Sequence, residues 1–390
     1  MALGAPQFES ARALEHARVL SVDIGIRAAG TEGERQGAAY IRDQLSGYGY
    51  DTSLQPFPLE TFVDQTSFEL LSPETRAIQA AALGRSTAGS AQGELIDAGL
   101  GRPEDFPADS GGKIAVIKRG VLFFQDKVSN AERAGAAAAI IYNNEPGMFR
   151  GSLNDASTIP AVSISEEDGR VLLDLILSTL TPRPVTVRLD VQSDTIKGQS
   201  QNVVARSPQG KCRLVVGGHY DSVPEGPGAN DNASGTSVVI ELARVLAADG
   251  EFDDVCFALF GSEEIGLVGS SAYVSALTAS EKSEIEGMLN FDMLAVGDGW
   301  PLSGLIGVAD IAAAEAERLG LSYSVETALP EHLGSDHQSF IGAGIPAMIF
   351  NCFCDERYHT ADDRFEFVEE ARLGEAGAMA LGTIAALLTD

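Results

Sequence analysis

At 390 residues the chain is longer than one ordinary domain, and its 44% apolar and 21% charged content is normal for a soluble globular protein. Fifty-six acidic against 27 basic residues give a net charge of −29, which argues against nucleic acid or an anionic membrane as partner. No apolar run approaches the ~20 residues of a membrane helix. The opening MALGAPQFES lacks the basic and apolar regions of a signal peptide, so the chain as given is expected in the cytoplasm, with secretion the alternative for a mature form.

Residues 8 to 48 read as a helix, a Gly-punctuated break from Ile24 to Gly33, and a second helix over Ala38–Leu45. His16 falls on the first helix, far from any other motif, and is assigned to structure. A strand follows over Tyr50–Phe62. Near residue 66 the texture changes to short strands between Gly/Ser/Pro-rich turns: Ser67–Leu71, Glu94–Asp97, Lys113–Lys118, Ile140–Tyr142 and Ala161–Ser165. Within this region Phe123–Ala134 reads as an amphipathic helix with Phe123, Phe124, Val128 and Ala131 facing inward. No histidine occurs between residues 17 and 218. Ser200–Ala205 then reads as a strand returning to the sheet that residues before about 66 began.

From residue 214 onward, four apolar runs each end on chemistry. Leu214-Val215-Val216 leads through two glycines to His219 and Asp221, and onward to Asp231 before a helical stripe of Val238, Val239, Leu242, Val245 and Leu246. Val255–Phe260 leads to Glu263 and Glu264, and Met288–Phe291 to Asp292. Ile345–Phe350 leads to a loop with Tyr358 and His359. Runs this short and apolar suit strands covered on both faces, whose carboxyl ends gather along one sheet edge. That edge would collect two of the five histidines with five acids, which repel one another unless a cation is present. Imidazole and carboxylate donors together suit zinc. Glu263 and Glu264 are adjacent, so in extended chain one can bind metal while the other faces substrate.

HYDS, GANDNASG, FGSEE, NFDM and RYHT, in this order, resemble the M28 family of di-zinc aminopeptidases. The gaps are 12 residues from His219 to Asp231, 33 to Glu264, 28 to Asp292 and 67 to His359. The segment KIAVIKRGVLFFQDKVSNAERAGAAAAIIYNN, with IPAVSISEEDG after it, resembles the protease-associated (PA) domain. The fold this implies is an α/β, phosphorylase/hydrolase-like zinc exopeptidase domain, a mixed and largely parallel sheet between helices, with an inserted mainly-β PA domain. Residues 1–65 and 195–390 would form the catalytic domain and 66–194 the insert, which would cover the active-site mouth or serve only structure.

The resemblance implies two zinc ions per chain, one held by His219 and Asp292, the other by Glu264 and His359, with Asp231 bridging across a cis Asp231-Asn232 bond. It makes Glu263 the general base acting on a hydroxide between the zincs, Tyr358 an oxyanion stabiliser, and Asp221 the partner of His219. GSDHQSF, residues 334–340, resembles the family's SDH segment, placing Asp336 and His337 near the site without metal roles. His332 reads as an exposed loop residue. Met293, Phe350, Cys352, Phe353 and Cys354 are expected to line an apolar subsite. Cys212 and Cys256 read as buried thiols, and since a bridge between residues two apart is strained, Cys352 and Cys354 are expected free as well.

The activity implied is removal of apolar N-terminal residues (Leu, Phe or Met) from peptides with a free N-terminus. A carboxypeptidase or dipeptidase of the same superfamily needs arginines for substrate carboxylates, and only Arg357 and Arg364 lie near the motifs. A non-catalytic binding relative is disfavoured by the complete ligand set, and a one-zinc glutaminyl cyclase type by the PA-like insert. Oligomeric state is not legible.

Overall fold

The computed structural model describes residues 7–178, 184–250, 253–304, 307–326, 334–352 and 354–388, without the side chains of 61–63 and 193–196. Phe353 and His332 therefore lie outside the described residues. The chain divides into two compact units, Met1–Leu59 with Lys197–Asp390, and Glu60–Ile196.

The first unit is built on an eight-stranded sheet. Its strands are β1 (Asp51–Asp64), β2 (Ser193–Arg206), β3 (Leu214–His219), β4 (Val255–Phe260), β5 (Gly287–Phe291), β6 (Trp300–Gly304), β7 (Tyr323–Glu326) and β8 (Ala347–Phe350), in the spatial order β1-β2-β4-β3-β5-β8-β6-β7. The central strands β4, β3, β5 and β8 are mutually parallel, while β2 pairs antiparallel to β4 and β6 antiparallel to β8, with β7 parallel to β6. Every residue of these four parallel strands is buried, as their largely apolar sequences require of strands covered on both faces.

Alternation along each strand divides the core in two. Leu214, Val216, Phe257, Leu259, Leu289, Phe291, Met348 and Phe350 pack with residues of the helices Ser10–Arg18, Glu32–Gly47, Gly235–Asp249, Val308–Leu319 and Glu370–Leu388. Val215, Ala258, Phe260, Met288 and Ala347 pack instead with Tyr273 and Val274 of the helix Val268–Ala276 and Phe340 of the helix His337–Gly342. Each fully buried Val, Leu, Phe or Met among them contributes about 1.5–3 kcal/mol. The last helix is long and apolar enough to cross a membrane by composition, but Leu373, Ala376, Met379, Ala380 and Ile384 are core residues here.

The second helix begins earlier than periodicity indicates. Thr31 Oγ1 accepts the Glu34 N–H at 3.4 Å and starts the helix at Glu32, inside the expected break. His16 is 8% exposed, with Nδ1 2.6 Å from the Tyr40 hydroxyl, consistent with a structural role.

The second unit holds another eight-stranded sheet, in which Gly89–Asp97, Ile114–Lys118, Ala138–Tyr142 and Ala161–Ile164 run parallel as consecutive neighbours. Its helix Phe124–Arg133 buries Val128 and Ala131 and stacks Phe124 on Phe149 with ring centroids 5.4 Å apart. Phe123 corrects the expectation: it is the residue before the first helical turn, out of phase with the buried stripe, and is 78% exposed.

The cysteines also depart from expectation, for none of the described ones is free. Cys212 is bridged to Cys256 and Cys352 to Cys354, each pair with Cα atoms 5.4 Å apart. That separation lies in the ordinary disulfide range. Cys212 lies just before β3, whose Val215 pairs with Cys256 on β4. For Cys352 and Cys354 the chain leaving β8 sets the separation, which a spacing of two residues does not reveal.

Candidate metal centre

Strand register brings the candidate ligands level. His219 pairs with Phe260 across β3 and β4, Gly217 with Asn290 across β3 and β5, and Phe291 with Phe350 across β5 and β8. His219, the Glu263-Glu264 pair, Asp292 and the chain toward His359 thus leave the sheet along one edge, where open α/β sheets bind ligands. The crossing there is tight: a Cβ on Gly218 would run into the carbonyl oxygen of Phe291. The Asp231-Asn232 bond is cis. Asn232 fixes its own segment, donating from Nδ2 to the Phe291 carbonyl at 2.8 Å and accepting the Gly235 N–H at 2.8 Å.

Two imidazoles face one carboxylate from opposite sides. His219 Nε2 lies 3.2 Å from Asp231 Oδ1 and 3.2 Å from Asp292 Oδ1. His359 Nε2 lies 3.3 Å from Asp231 Oδ2 and 2.9 Å from Glu264 Oε2. Each oxygen of Asp231 therefore addresses a different histidine, each histidine with its own further carboxylate. Asp221 is fully buried and accepts the N–H of Glu263 at 3.0 Å and of Glu264 at 3.2 Å, while its Oδ1 stands 3.5 Å from His219 Nδ1. One carboxylate thus fixes the backbone of both glutamates and stands beside the strand-end histidine, whose Nδ1 makes no hydrogen bond. Among the described residues, no cationic side chain or imidazole comes within ion-pair distance of the Glu263 carboxylate.

The electrostatics are those of a crowded anionic pocket. Burial opposes a charge on His219, yet Asp292, Glu263, Asp221 and Asp231 together hold its imidazole well above the usual range. His359 is likewise opposed by burial but raised to about 10 by Asp231 and Glu264. Asp231 is held low by the two histidines against its burial, whereas burial and Asp231 push Glu264 up to about 8. Glu263 is driven well above the carboxylate range by loss of water, with Asp336, Asp292 and Glu264 adding to it against the pull of His219. Loss of water, with the charges of Asp231, Glu264, Asp292 and Glu263, keeps the Tyr358 hydroxyl protonated, and its ring stacks on the His359 imidazole at 3.6 Å between centroids.

The donors fit zinc. Two imidazole nitrogens and several carboxylate oxygens converge, while the paired cysteines offer no thiolate. His219, Asp231 and Glu264 each present one donor atom within 4.8 Å of the others, and Glu264 Oε1 is buried without a hydrogen-bond partner. Protons on the histidines stand in for cations in this charge balance, and a bound metal would displace them.

The apolar lining is thinner than expected. Phe350 is fully buried and stacks on Phe291 at 4.7 Å, so it belongs to the interior between strands, and Met293 is only 1% exposed. Cys352 is buried and Cys354 exposed, bridged as described. Asp336 and His337 are buried at the start of the helix His337–Gly342, and neither Asp336 oxygen has a hydrogen-bond partner.

Two residues that support the site carry no sequence signal. Arg27, fully buried, donates to the carbonyls of Tyr220 at 2.6 Å, Leu20 at 2.9 Å, Gly25 at 2.8 Å, Pro227 at 2.8 Å and Gly228 at 3.1 Å, holding both ends of the loop between Asp221 and Asp231. Glu34, also fully buried, accepts from Ser262 Oγ at 3.0 Å and Ser200 Oγ at 2.8 Å, and so anchors the residue before Glu263. Ser262 has a φ of 57°, in the left-handed region. Asp355 and Asp363 were within reach of a sequence reading, since they flank Tyr358-His359.

The chain is similar in sequence and in fold to known proteins. The model of peptidase family M28 matches residues 202–384 and that of the PA domain residues 83–172. The chain is 34% identical to the aminopeptidase YwaD of Bacillus subtilis (strain 168), over 97% of this chain and 84% of that protein. It is 38% identical to a probable leucine aminopeptidase 2 of Aspergillus fumigatus, over 62% of this chain and 51% of that one. Its fold superimposes with a TM-score of 0.79 on the structure of BSAP, a zinc aminopeptidase from Bacillus subtilis, at 33% identity over 97% of this chain and 95% of the other.

Proposed function

Because the chain belongs to peptidase family M28, we propose that it is a zinc-dependent aminopeptidase that releases apolar N-terminal residues from peptides. The observation that carries the two-metal form of this reading is Asp231, whose two oxygens stand 3.2 Å from His219 and 3.3 Å from His359. One zinc would be held by His219 and Asp292, a second by Glu264 and His359, with Asp231 shared. Zinc, when bound, polarises the scissile carbonyl and makes water nucleophilic near neutral pH.

The protein's own groups supply the rest. Glu263 takes a proton from the attacking water at its carboxylate and returns it to the nitrogen of the leaving amine. Asp221, through the Glu263 N–H, fixes where that carboxylate stands. The Tyr358 hydroxyl donates to the carbonyl oxygen as charge develops there. The surrounding acids favour the cationic α-amine of the substrate. Arg357 is engaged by Asp355 at 2.8 Å, and Arg364 by Asp362 at 3.1 Å and Glu366 at 3.3 Å. With both arginines so occupied, recognition of a substrate carboxylate is disfavoured. The preference for Leu, Phe or Met rests on the relative named leucine aminopeptidase 2 and on the half-exposed ring of Tyr358.

The test compares kcat/KM for leucyl, glutamyl and N-acetyl-leucyl substrates with one leaving group. Leucyl should be cleaved fastest, glutamyl poorly and the acetylated substrate not at all. Equal cleavage of the acetylated substrate would rule out an aminopeptidase.

A further inference from the structure

The loop that carries Tyr358 and His359 is pinned at both ends to one residue of the Asp231 segment. At its far end Asp363 is 4% exposed, and its two oxygens accept consecutive backbone N–H groups, from Asn230 at 2.7 Å and from Asp231 at 2.9 Å. The Asp363 carbonyl accepts the Ala229 N–H at 3.2 Å. At its near end Asp355, 8% exposed, accepts from Asn230 Nδ2 at 3.2 Å. Asn230 Oδ1 in turn accepts the Ala295 N–H at 2.9 Å, from the chain that has just left Asp292. A single buried asparagine thereby joins three segments, each holding a candidate ligand: Asp231, Asp292 and His359.

His359 needs such support more than the other histidine. Its side chain is 40% exposed, against 1% for His219. Its φ is 57°, a left-handed conformation that a residue with a side chain holds only when its surroundings enforce it. Between the two anchors the loop is a run of tight turns, with the Tyr358 N–H on the Asp355 carbonyl at 3.1 Å, Thr360 on Arg357 at 3.1 Å and Asp363 on Thr360 at 3.3 Å. Loosening either anchor frees the turns that set the His359 imidazole. His219 stands on β3 and is indifferent to them.

We propose that Asp363 and Asp355 are positioning residues that couple the two halves of the metal centre, holding the His359–Glu264 half in register with Asp231. The proposal rests on the two-metal reading above. In Asp363→Asn, an amide N–H would face a backbone N–H in place of an acceptor, so one of the two clamping bonds is lost.

The experiment titrates zinc into metal-free parent, Asp363→Asn, Asp355→Asn and Asp362→Asn with a competing chelator, beside thermal melting of each metal-free protein. Outer partners of metal ligands change affinity by about 10–100-fold. The parent should take two ions. Asp363→Asn should keep its first ion at parental affinity and bind the second about 10–100-fold more weakly, with excess zinc restoring kcat. Asp355→Asn should weaken the same ion, and Asp362→Asn, whose side chain is 69% exposed, should match the parent. If Asp363→Asn fails to fold, Asp355→Asn, which leaves both amide bonds of Asp363 in place, decides alone. Two ions bound by either variant at parental affinity would overturn the coupling while leaving the two-metal reading intact. Equal weakening of both ions alongside a lower metal-free melting point would overturn it in favour of a purely structural role. A parent that takes fewer than two ions would overturn the two-metal reading itself, and the coupling with it.

Discussion

Replacing Arg27 with methionine removes the guanidinium but keeps an unbranched apolar stem in the same space. Five backbone carbonyls then lose the guanidinium, although Leu20 keeps the Gly25 N–H and Gly228 the Ala233 N–H, each at 3.0 Å. Those of Gly25 and Pro227 belong to half-buried residues and can turn to water, whereas Leu20, Tyr220 and Gly228 are buried. Hydrogen bonds to a charged donor contribute about 1.5–3 kcal/mol each, or about 4.5–9 kcal/mol for these three. Against this, a cation with no carboxylate in direct contact is no longer buried, which returns several kcal/mol. The net expectation is a loss of about 3 kcal/mol, a large part of the ~5–15 kcal/mol that folded proteins possess. Arg27→Lys should lose less, because an ammonium keeps up to three donors. Equilibrium urea unfolding of parent and both variants, at saturating zinc and without it, reads the difference. A loss under about 1 kcal/mol for Arg27→Met, or equal losses for the two variants, would refute the view that this hydrogen-bond fan holds the loop.

Glu263→Gln keeps shape but not basicity, so zinc content should stay while kcat falls at least ~10²-fold, and a fully active variant would exclude Glu263 as the base. Tyr358→Phe should cost at most about 2.7–4 kcal/mol in transition-state stabilisation, seen in kcat rather than KM. His16 is held down to about 4 by burial and the nearby Arg12 charge. Between its ordinary 6.5 and about 4, the unfolded chain binds a proton there that the folded chain refuses, so stability falls as pH drops through that window. The slope is at most about 1.4 kcal/mol per pH unit, and His16→Gln should flatten it in urea midpoints measured from pH 7 to pH 4.

Much of the centre is legible because buried strands announce themselves. The apolar runs ending at His219, Phe260, Phe291 and Phe350 have one reading, and parallel register does the rest. What is not legible depends on distance in sequence or on phase. Arg27 meets Tyr220 across 193 residues, and Glu34 meets Ser262 across 228, with nothing local to mark either. Phe350 looks like a pocket residue only while the strand's two faces are undistinguished; alternation assigns it to the interior against Phe291. Phe123 fails by a single residue at a helix start, and the bridge from Cys352 to Cys354 by a Cα distance that spacing does not give.

Zinc counted per chain in fully active protein, for the parent and for Asp231→Asn, bears most directly on the shared-carboxylate centre. Two ions in the parent and loss of both in the variant are the expected result. One ion or none in active parent, or a variant that sheds only one, would contradict it.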